Sequence, residues 1–429
     1  MDTERFSALK GFKDLLPENA PRWQWIESTV REVFPTFGFS LIRTPILEPA
    51  NLFARGIGAT SDIVEKETYT FDDWDGKKIS LRPEGTASVA RAYLEHHLHT
   101  AALSRFYYIG PMFRHERPQA GRLRQFHQIG AECLGQAGPR HDAEMLSLLD
   151  ETLRRLHVSG LTLEINTLGC AQCRPPYRNA LQHYLSAQQG SFCEDCRRRS
   201  AINPLRVLDC KKEGCKAAVA RAPCPINHVC GACTDHFEAV RDDLTRMGIA
   251  HVLNPRLVRG LDYYTRTAFE LTSAALGAQN AVAAGGRYDG LIEMLGGPPT
   301  PAVGFAIGME RLALLIPPDG IPKPTPLLFM APLGAVAGRT LFPALFQLRQ
   351  RSIRCEMGDE TAKLAAQLKR ADRLGAAHAL IVGDAELARG LAILRDMTTK
   401  VQQEVPLNGL VEGLVDRLAN RLVECRIAR

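Results

Sequence analysis

The sequence predicts a mixed α/β chain, and three observations carry that reading. An aromatic run at 106–109 (Phe106, Tyr107, Tyr108, Ile109) and a second short run at 126–129 flank a polar loop, the pattern of two strands with a connecting loop. After a proline-rich connector, PPDGIPKPTP at 317–326, strand-like and helix-like stretches alternate to the end of the chain. Between these two regions the composition turns abruptly to cysteine, which sets that stretch apart from its neighbours.

With 429 residues the chain has room for two or three domains. Its 23% charged and 45% hydrophobic residues are those of an ordinary globular protein, which excludes a disordered chain. No apolar run approaches the ~20 residues needed to cross a bilayer. The opening MDTERFSALKGFKDLL carries acidic residues and no signal-peptide core, so a cytoplasmic location and no membrane partner are expected. The formal charge is +6, and residues 325–429 hold 15 Lys+Arg against 11 Asp+Glu, a mild bias toward a polyanion.

In chain order, residues 22–37 form an amphipathic helix after Pro17 and Pro21, with Trp25, Ile26, Thr29, Val30 and Val33 at helical spacing. GFSLIRTPILEP follows, a short strand halted by Pro45. Asp75-Gly76 is the turn of a hairpin between 67–71 and 78–82. The second strand runs into LRPEGTASVARAYLEHHL, where two readings stand side by side: Thr86 caps the helix, or Glu84, at a strand end, holds a cationic group such as an amine. The loop of the central hairpin then carries Arg114, Arg117, Arg122 and Arg124 around the turn former Gly121. Arginine presents a planar fork of donors that keeps its charge at working pH, so this loop suits a phosphate-bearing ligand; the plainer alternative is a solvated loop. A helix over 142–156 and the strand LTLEINTLG follow.

Nine of the twelve cysteines fall within 170–233, as Cys170-x-x-Cys173, Cys193-x-x-Cys196, Cys210-x4-Cys215 and Cys230-x-x-Cys233, with Cys224 between. Two sulfurs at such spacing can share a tetrahedral zinc, and four pairs could make two four-thiolate sites; reduced thiols without metal are the alternative. Four sulfurs leave no position for water, so any such zinc is structural rather than catalytic.

Three glycine-marked stretches come next. In RLVRGLDYYTRTAF (256–269), strand alternation puts Arg259, Leu261 and Tyr263 on one face and Tyr264 on the other, unless Gly260 makes a bulge. The paired glycines of AAGGRYDGLIEMLGG (283–297) either admit a ligand to the backbone or form a turn before a helix. AVGFAIGMERLALLI (302–316) reads as a strand entering a helix with Arg311 in its first turn. A cation there opposes the helix dipole, which suggests that a ligand requires it. In the last region, LLFMAPL, a helix through Arg351, a run near Cys355, a helix over 361–374, HALIVG, LAILRDM and a helix from Leu407 make a small α/β unit with a parallel or mixed sheet. Lys369, Arg370 and Arg373 lie near one another there, an RNA-facing edge or simply solvated charge.

At these residues the chain resembles the class II aminoacyl-tRNA synthetases, and within them the histidyl-tRNA synthetase family. GFSLIRTPILEP resembles the first class motif (near 38–50), FRHERPQAGRLRQFHQIGAE the second (near 106–135) and GFAIGMERL the third (302–316). RGLDYYTRTAFE (256–269) and AAGGRYDGL (283–297) resemble the two stretches peculiar to the histidine enzymes. The resemblance implies a catalytic domain over 1–325, built on an antiparallel sheet of six or more strands flanked by helices, with the cysteine-rich insertion at 170–245. It implies an α/β anticodon-binding domain over 326–429, and a homodimer with Pro45 at its interface.

The resemblance also implies roles. Arg114 and Arg311 would hold the ATP phosphates, with Arg122 a second phosphate contact. Arg259 would touch both the histidine carboxylate and the α-phosphate. Glu84, Thr86 and Gln128 would seat the α-amino group, and Glu132 and Tyr264 would pair with the imidazole nitrogens. Tyr263 and Tyr288 would wall the pocket, while Arg117 and Gln119 would meet the tRNA acceptor end. The implied activity is activation of L-histidine by ATP with Mg2+, then transfer to tRNA(His). A synthetase-like, histidine-sensing regulatory subunit of histidine biosynthesis is the alternative; such proteins lack the anticodon domain and parts of the histidine stretches, all of which this chain carries.

Overall fold

The computed structural model describes residues 6–58, 63–101, 104–210, 212–259, 261, 263–277, 280–317, 320–322 and 327–427. Gly260, and much of the connector at 317–326, therefore lie outside the described residues. The chain divides into two compact units, Met1–Ile321 and Pro322–Arg429.

The first unit contains strands β1 (Ser40–Leu41), β2 (Leu47–Pro49), β3 (Thr70–Asp72), β4 (Lys78–Leu81), β5 (Arg105–Phe113), β6 (Gln125–Leu134), β7 (Leu161–Thr167), β8 (Val252–Leu253), β9 (Thr265–Ser273), β10 (Ala281–Arg287) and β11 (Ala302–Gly308). Its helices are α1 (Ala20–Thr36), α2 (Ala50–Ile57), α3 (Thr86–Glu95), α4 (Pro139–Arg155), α5 (Arg174–Ser186), α6 (Glu194–Ile202), α7 (Glu213–Ala218), α8 (Gly231–Arg246), α9 (Leu291–Met294) and α10 (Met309–Leu315). The main sheet has the order β1-β5-β6-β11-β10-β9-β7-β8. Its six inner strands are antiparallel, as expected, and β1 and β8 add one parallel strand at each edge. The expected hairpin is also present: β3 pairs with β4 through Asp72↔Lys78, and Gly76 takes the positive φ (72°) that its turn requires.

Both faces of the sheet are covered, which is why β5 reads as a nearly continuous apolar run. Strand alternation sends Tyr107 into one core, with Ile26, Val30, Val33 and Phe34 of α1, Leu146 and Leu149 of α4, and Phe237 and Val240 of α8. The same alternation sends Phe106, Tyr108 and Met112 to the opposite face, where Val89 and Tyr93 of α3, Tyr263, Tyr264 and Tyr288 gather. Full burial of such a side chain contributes about 1.5–3 kcal/mol, so the first face acts as the rigid support. The second face carries the site.

Two local expectations need correction. Strand β9 begins only at Thr265, so Tyr263 and Tyr264 do not alternate across a strand; both are buried in the loop before it, with ring centroids 4.7 Å apart. Gly285 and Gly286 lie inside β10 rather than in a turn. A Cβ on Gly285 would come within 2.2 Å of the Gly304 carbonyl oxygen and one on Gly286 within 2.5 Å of that of Thr267, so these glycines permit close approach of neighbouring strands.

The second unit holds β12 (Leu327–Pro332), α11 (Ala335–Gln350), β13 (Cys355–Met357), α12 (Leu364–Arg373), β14 (Ala376–Val382), α13 (Asp384–Arg389), β15 (Leu391–Asp396), β16 (Gln402–Pro406) and α14 (Leu410–Ile427). The sheet order is β13-β12-β14-β15-β16, parallel through β13, β12 and β14 and antiparallel beyond, hence mixed. Alternation along β12 divides Leu328 and Met330, packed with α11 and α14, from Leu327, Phe329 and Ala331, packed near Ala371 of α12. Sequence reading missed α13 and β16, the latter because four of its five residues are exposed and QQEVP has almost no apolar alternation. Lys369, Arg370 and Arg373 are exposed on α12, with Arg370 paired to Glu356.

Candidate active site

One cavity on the α3 face of the main sheet is lined by Glu84, Thr86, Arg114, Arg122, Gln128, Arg259, Tyr263, Tyr264, Tyr288 and Arg311. These ten sequence-selected residues come from segments between Glu84 and Arg311, more than two hundred positions apart at the extremes, brought together by the strand order. Arg117 and Gln119 do not line it; both are exposed in the loop between β5 and β6.

Three of the arginines are held by backbone oxygens or by a carboxylate. Arg114, just past β5, donates from Nε to the Pro83 carbonyl at 2.9 Å and lies 5.2 Å from the Phe126 ring centre. Arg311, in the first turn of α10, donates from Nε to the Gly121 carbonyl (3.0 Å) and from Nη1 to that of Ala281 (2.7 Å). Arg122 pairs with the buried Glu116. Burial chiefly, with repulsion from Arg122 and Arg114, lowers the pKa of Arg311. Burial also lowers that of Arg122, Arg114 acting in the same direction and Glu67 against it. Like charges crowded into a shielded cavity are unfavourable until an anion joins them, so the arrangement suits a polyphosphate. Arg259 stands apart, 3.3 Å from Glu270 and 5.9 Å from the Tyr264 ring centre. Its buried Nε has no hydrogen-bond partner among the described residues.

The rest of the cavity is a cage of tyrosines over two carboxyls. Tyr288 lies 5.5 Å from Tyr263 and 6.4 Å from Tyr264, centre to centre. The Tyr263 hydroxyl donates to Glu84 Oε2 at 2.9 Å, and the Tyr288 hydroxyl donates to Glu132. These two tyrosines therefore orient the acids as well as wall the space. Glu132 sits one hydrogen bond beyond the lining, 1% exposed, and also accepts from Thr86 Oγ1 at 2.7 Å. Burial pushes its carboxyl up to about 8, the Tyr288 and Thr86 hydroxyls opposing and Glu84 adding. Burial likewise raises Glu84, against the pull of the Tyr263 hydroxyl and of Arg114. Gly304 faces Glu132 across the β6–β11 ladder, and a Cβ there would fall 1.9 Å from Glu132 Oε2. That glycine makes room for the acid.

The Thr86 cap expected from the sequence is not formed. Thr86 is the first residue of α3 and its hydroxyl is used on Glu132, while Glu84 Oε1 accepts from the Ala87 amide at 3.2 Å and so does the capping.

Sequence reading also missed Glu116, Glu270 and Glu310, which pair with Arg122, Arg259 and His127. Only the basic partners stood out, because an acid gains meaning from the cation that folding brings to it. The same holds for the buried network beneath the tyrosines. Asp142 on α4 accepts from Thr267 Oγ1 at 2.6 Å and Arg287 Nε at 3.0 Å, and lies 2.8 Å from His236 Nε2 of α8. Burial pushes the Asp142 carboxyl up, but His236 and Arg287 outweigh it and leave its pKa below the ordinary value. Arg287 immediately precedes Tyr288, so this network sets the position from which Tyr288 reaches Glu132.

The insertion also brings its cysteines together in two groups, Cys170, Cys173, Cys230 and Cys233, and Cys193, Cys196, Cys210 and Cys215.

An antiparallel sheet with short parallel edge strands, bearing on one face an arginine cluster beside a small polar cage, is the arrangement expected of a class II aminoacyl-tRNA synthetase, and the comparisons with known proteins put the chain in that class. A family profile described as Histidyl-tRNA synthetase matches residues 11–312, and one described as Anticodon binding domain matches 346–417. The chain is 51% identical over 402 residues to a Histidine--tRNA ligase of Geobacter sulfurreducens, covering 94% of this chain and 97% of that one. It is 47% identical over 412 residues to that of Syntrophotalea carbinolica, covering 96% and 98%. The crystal structure of apo histidyl-tRNA synthetase from S. aureus superposes with a TM-score of 0.80 at 34% identity, covering 95% of this chain and 99% of that one. The chain belongs to the histidyl-tRNA synthetase family.

Proposed function

We infer that the chain is a histidine-tRNA ligase, which activates L-histidine with ATP to histidyl-adenylate and pyrophosphate and then transfers histidine to the 3′ end of tRNA(His). The observation that carries this reading is the single cavity joining the arginine cluster to a tyrosine cage over two acids. The regulatory alternative is not favoured, since the curated relatives that span nearly the whole chain carry the ligase name.

In the first step a histidine carboxylate oxygen attacks the α-phosphorus and the bond to pyrophosphate breaks. The protein needs to supply positioning and positive charge rather than a nucleophile. Arg114, Arg122 and Arg311 would hold the triphosphate, and Arg259, beside the cage, would bridge the carboxylate and the α-phosphate, where charge builds. ATP would enter as its magnesium complex, with Glu270 and Glu310 in the lining as the oxygen donors suited to a hard cation. Glu84, Thr86 and Gln128 would receive the α-amino group. Glu132 and Tyr264 would take the two imidazole nitrogens. A buried site built to satisfy both nitrogens rejects side chains that leave one polar group unpaired. In the second step the terminal ribose hydroxyl of tRNA attacks the carbonyl carbon and AMP leaves. Arg117 and Gln119, exposed on the β5–β6 loop, are available to the acceptor end, and the anticodon-binding unit supports tRNA binding. Such a reaction belongs in the cytoplasm, where translation runs.

The test is pyrophosphate exchange into ATP with each of the twenty amino acids and no tRNA. Exchange with histidine alone is expected; silence with every amino acid from folded protein would overturn the ligase reading in favour of the regulatory one. A homodimer is proposed as well, on the apolar side chains left exposed beside Pro45 (Leu41, Ile46 and Leu47) and on Phe71 of β3, across β4 from Pro49. Sedimentation should give twice the chain mass, and a monomer at micromolar concentration would contradict it.

A further inference from the structure

We propose that the insertion holds two structural zinc ions, each bound by four thiolates: one by Cys170, Cys173, Cys230 and Cys233, the other by Cys193, Cys196, Cys210 and Cys215. In each group the four sulfurs lie within 4.8 Å of one another. Cys170 and Cys173 are 3.6 Å apart at Sγ, and Cys173 and Cys233 are 4.0 Å apart. A regular tetrahedron with Zn–S bonds of about 2.3 Å has sulfur–sulfur edges of about 3.8 Å, so these spacings are those of sulfurs sharing one central ion. All eight cysteines are free thiols, so the grouping is not that of disulfides. The spread also leaves room for a single ion and not for a multi-iron cluster.

The surroundings fit the same assignment. Each group contains two buried and two half-buried cysteines, closed enough to exclude an open coordination position. Cys173, Cys193 and Cys230 immediately precede α5, α6 and α8. The Cys230 amide donates to Cys173 Sγ at 3.1 Å and the Cys193 amide to Cys215 Sγ at 3.2 Å, bonds that orient sulfur and favour its charged form. The apolar core available to this region is small: Tyr177, Leu181, Leu185, Phe192, Val207 and Val219 with a few smaller side chains, under short helices and single turns. A core of that size calls for covalent or metal crosslinks.

Both groups brace segments that reach the cavity. The first follows Gly169, whose carbonyl accepts from the Arg266 amide at 2.8 Å, and Arg174, next to Cys173, donates to the Tyr264 carbonyl. The second holds the chain that leads to Val219 and Ala220, whose carbonyls receive Arg256, three residues before Arg259. Zinc at these positions is a brace for the histidine end of the site, with no part in the chemistry.

The test is elemental analysis of the full-length protein purified without chelator, together with titration by a mercurial, which caps each thiolate as it displaces the zinc, so that the equivalents consumed count the thiolates per ion released. Two zinc ions per chain are expected, with eight thiols protected until release, and a Cys193→Ser/Cys196→Ser variant should retain one. Cobalt exchanged for zinc should give the bands of tetrahedral tetrathiolate coordination. Folded, protease-resistant protein with no metal and eight reactive thiols would overturn the proposal, as would iron in place of zinc. The measurement on the parent protein decides the matter even where the variant fails to fold.

Discussion

Arg259→Ala is expected to lower histidine-dependent pyrophosphate exchange by about 10³-fold or more while leaving the protein folded. Removing one charge-stabilising donor from a preorganised site typically costs 10²–10³ in rate, and arginines acting on phosphoryl transfer reach about 10³–10⁵. The fold should survive, because the side chain is used on Glu270 and on the Tyr264 ring rather than on the core. Glu270 is a quarter exposed, so water can solvate it once its partner is gone. Arg259→Lys should recover little, since an ammonium keeps the charge but loses the planar fork that could bridge a carboxylate and a phosphate. Circular dichroism and exchange kinetics on the same preparation separate folding from activity. Exchange near the parental rate in the alanine variant would remove Arg259 from the mechanism.

Glu132→Gln should act on activity and stability in opposite directions. Loss of the hydrogen bond between the Glu132 carboxyl and the imidazole predicts about a 10²-fold fall in kcat/KM for histidine. The unliganded protein should become more stable, because in the parent a buried carboxyl is held against its preference to ionise. The pKa of Glu132 is raised in the folded protein to about 8. Between the ordinary carboxylate range near 4.5 and about 8, the folded protein keeps a proton that the unfolded chain has released. The parent therefore loses stability from this group as pH rises through that window, and the loss is complete above about 8. The glutamine variant has no such slope. Its melting temperature should match the parent's near pH 4.5 and exceed it by several degrees at pH 8.5, an effect on the order of a few kcal/mol. Parallel melting curves for the two proteins across this range would show that Glu132 is not held protonated.

The sequence by itself determined the architecture in outline. An alternating aromatic run placed β5, a second short run β6 and a glycine-spaced run β11, the connector marked the change to an α/β arrangement, and the motif stretches named ten residues that line one cavity. These signals are legible because each is local: a strand alternates, a helix repeats, and an arginine is conspicuous wherever it falls. The cysteine spacing was local in the same way, pair by pair.

Other features were decided only by the tertiary structure, because each depends on what a side chain meets after folding. The pairing of Cys170 and Cys173 with Cys230 and Cys233, rather than with the nearer Cys193 and Cys196, is set by where α5 and α8 begin. Thr86 looks like a cap until β6 brings Glu132 within hydrogen-bonding reach. Gly304 is only one glycine of a strand until its register opposite Glu132 makes it the space for that acid. Asp142 reads as an ordinary first-turn acid, and folding buries it against Arg287 and His236. A burial energy, a pKa and an ion pair are properties of a place, and the chain acquires the place only by folding.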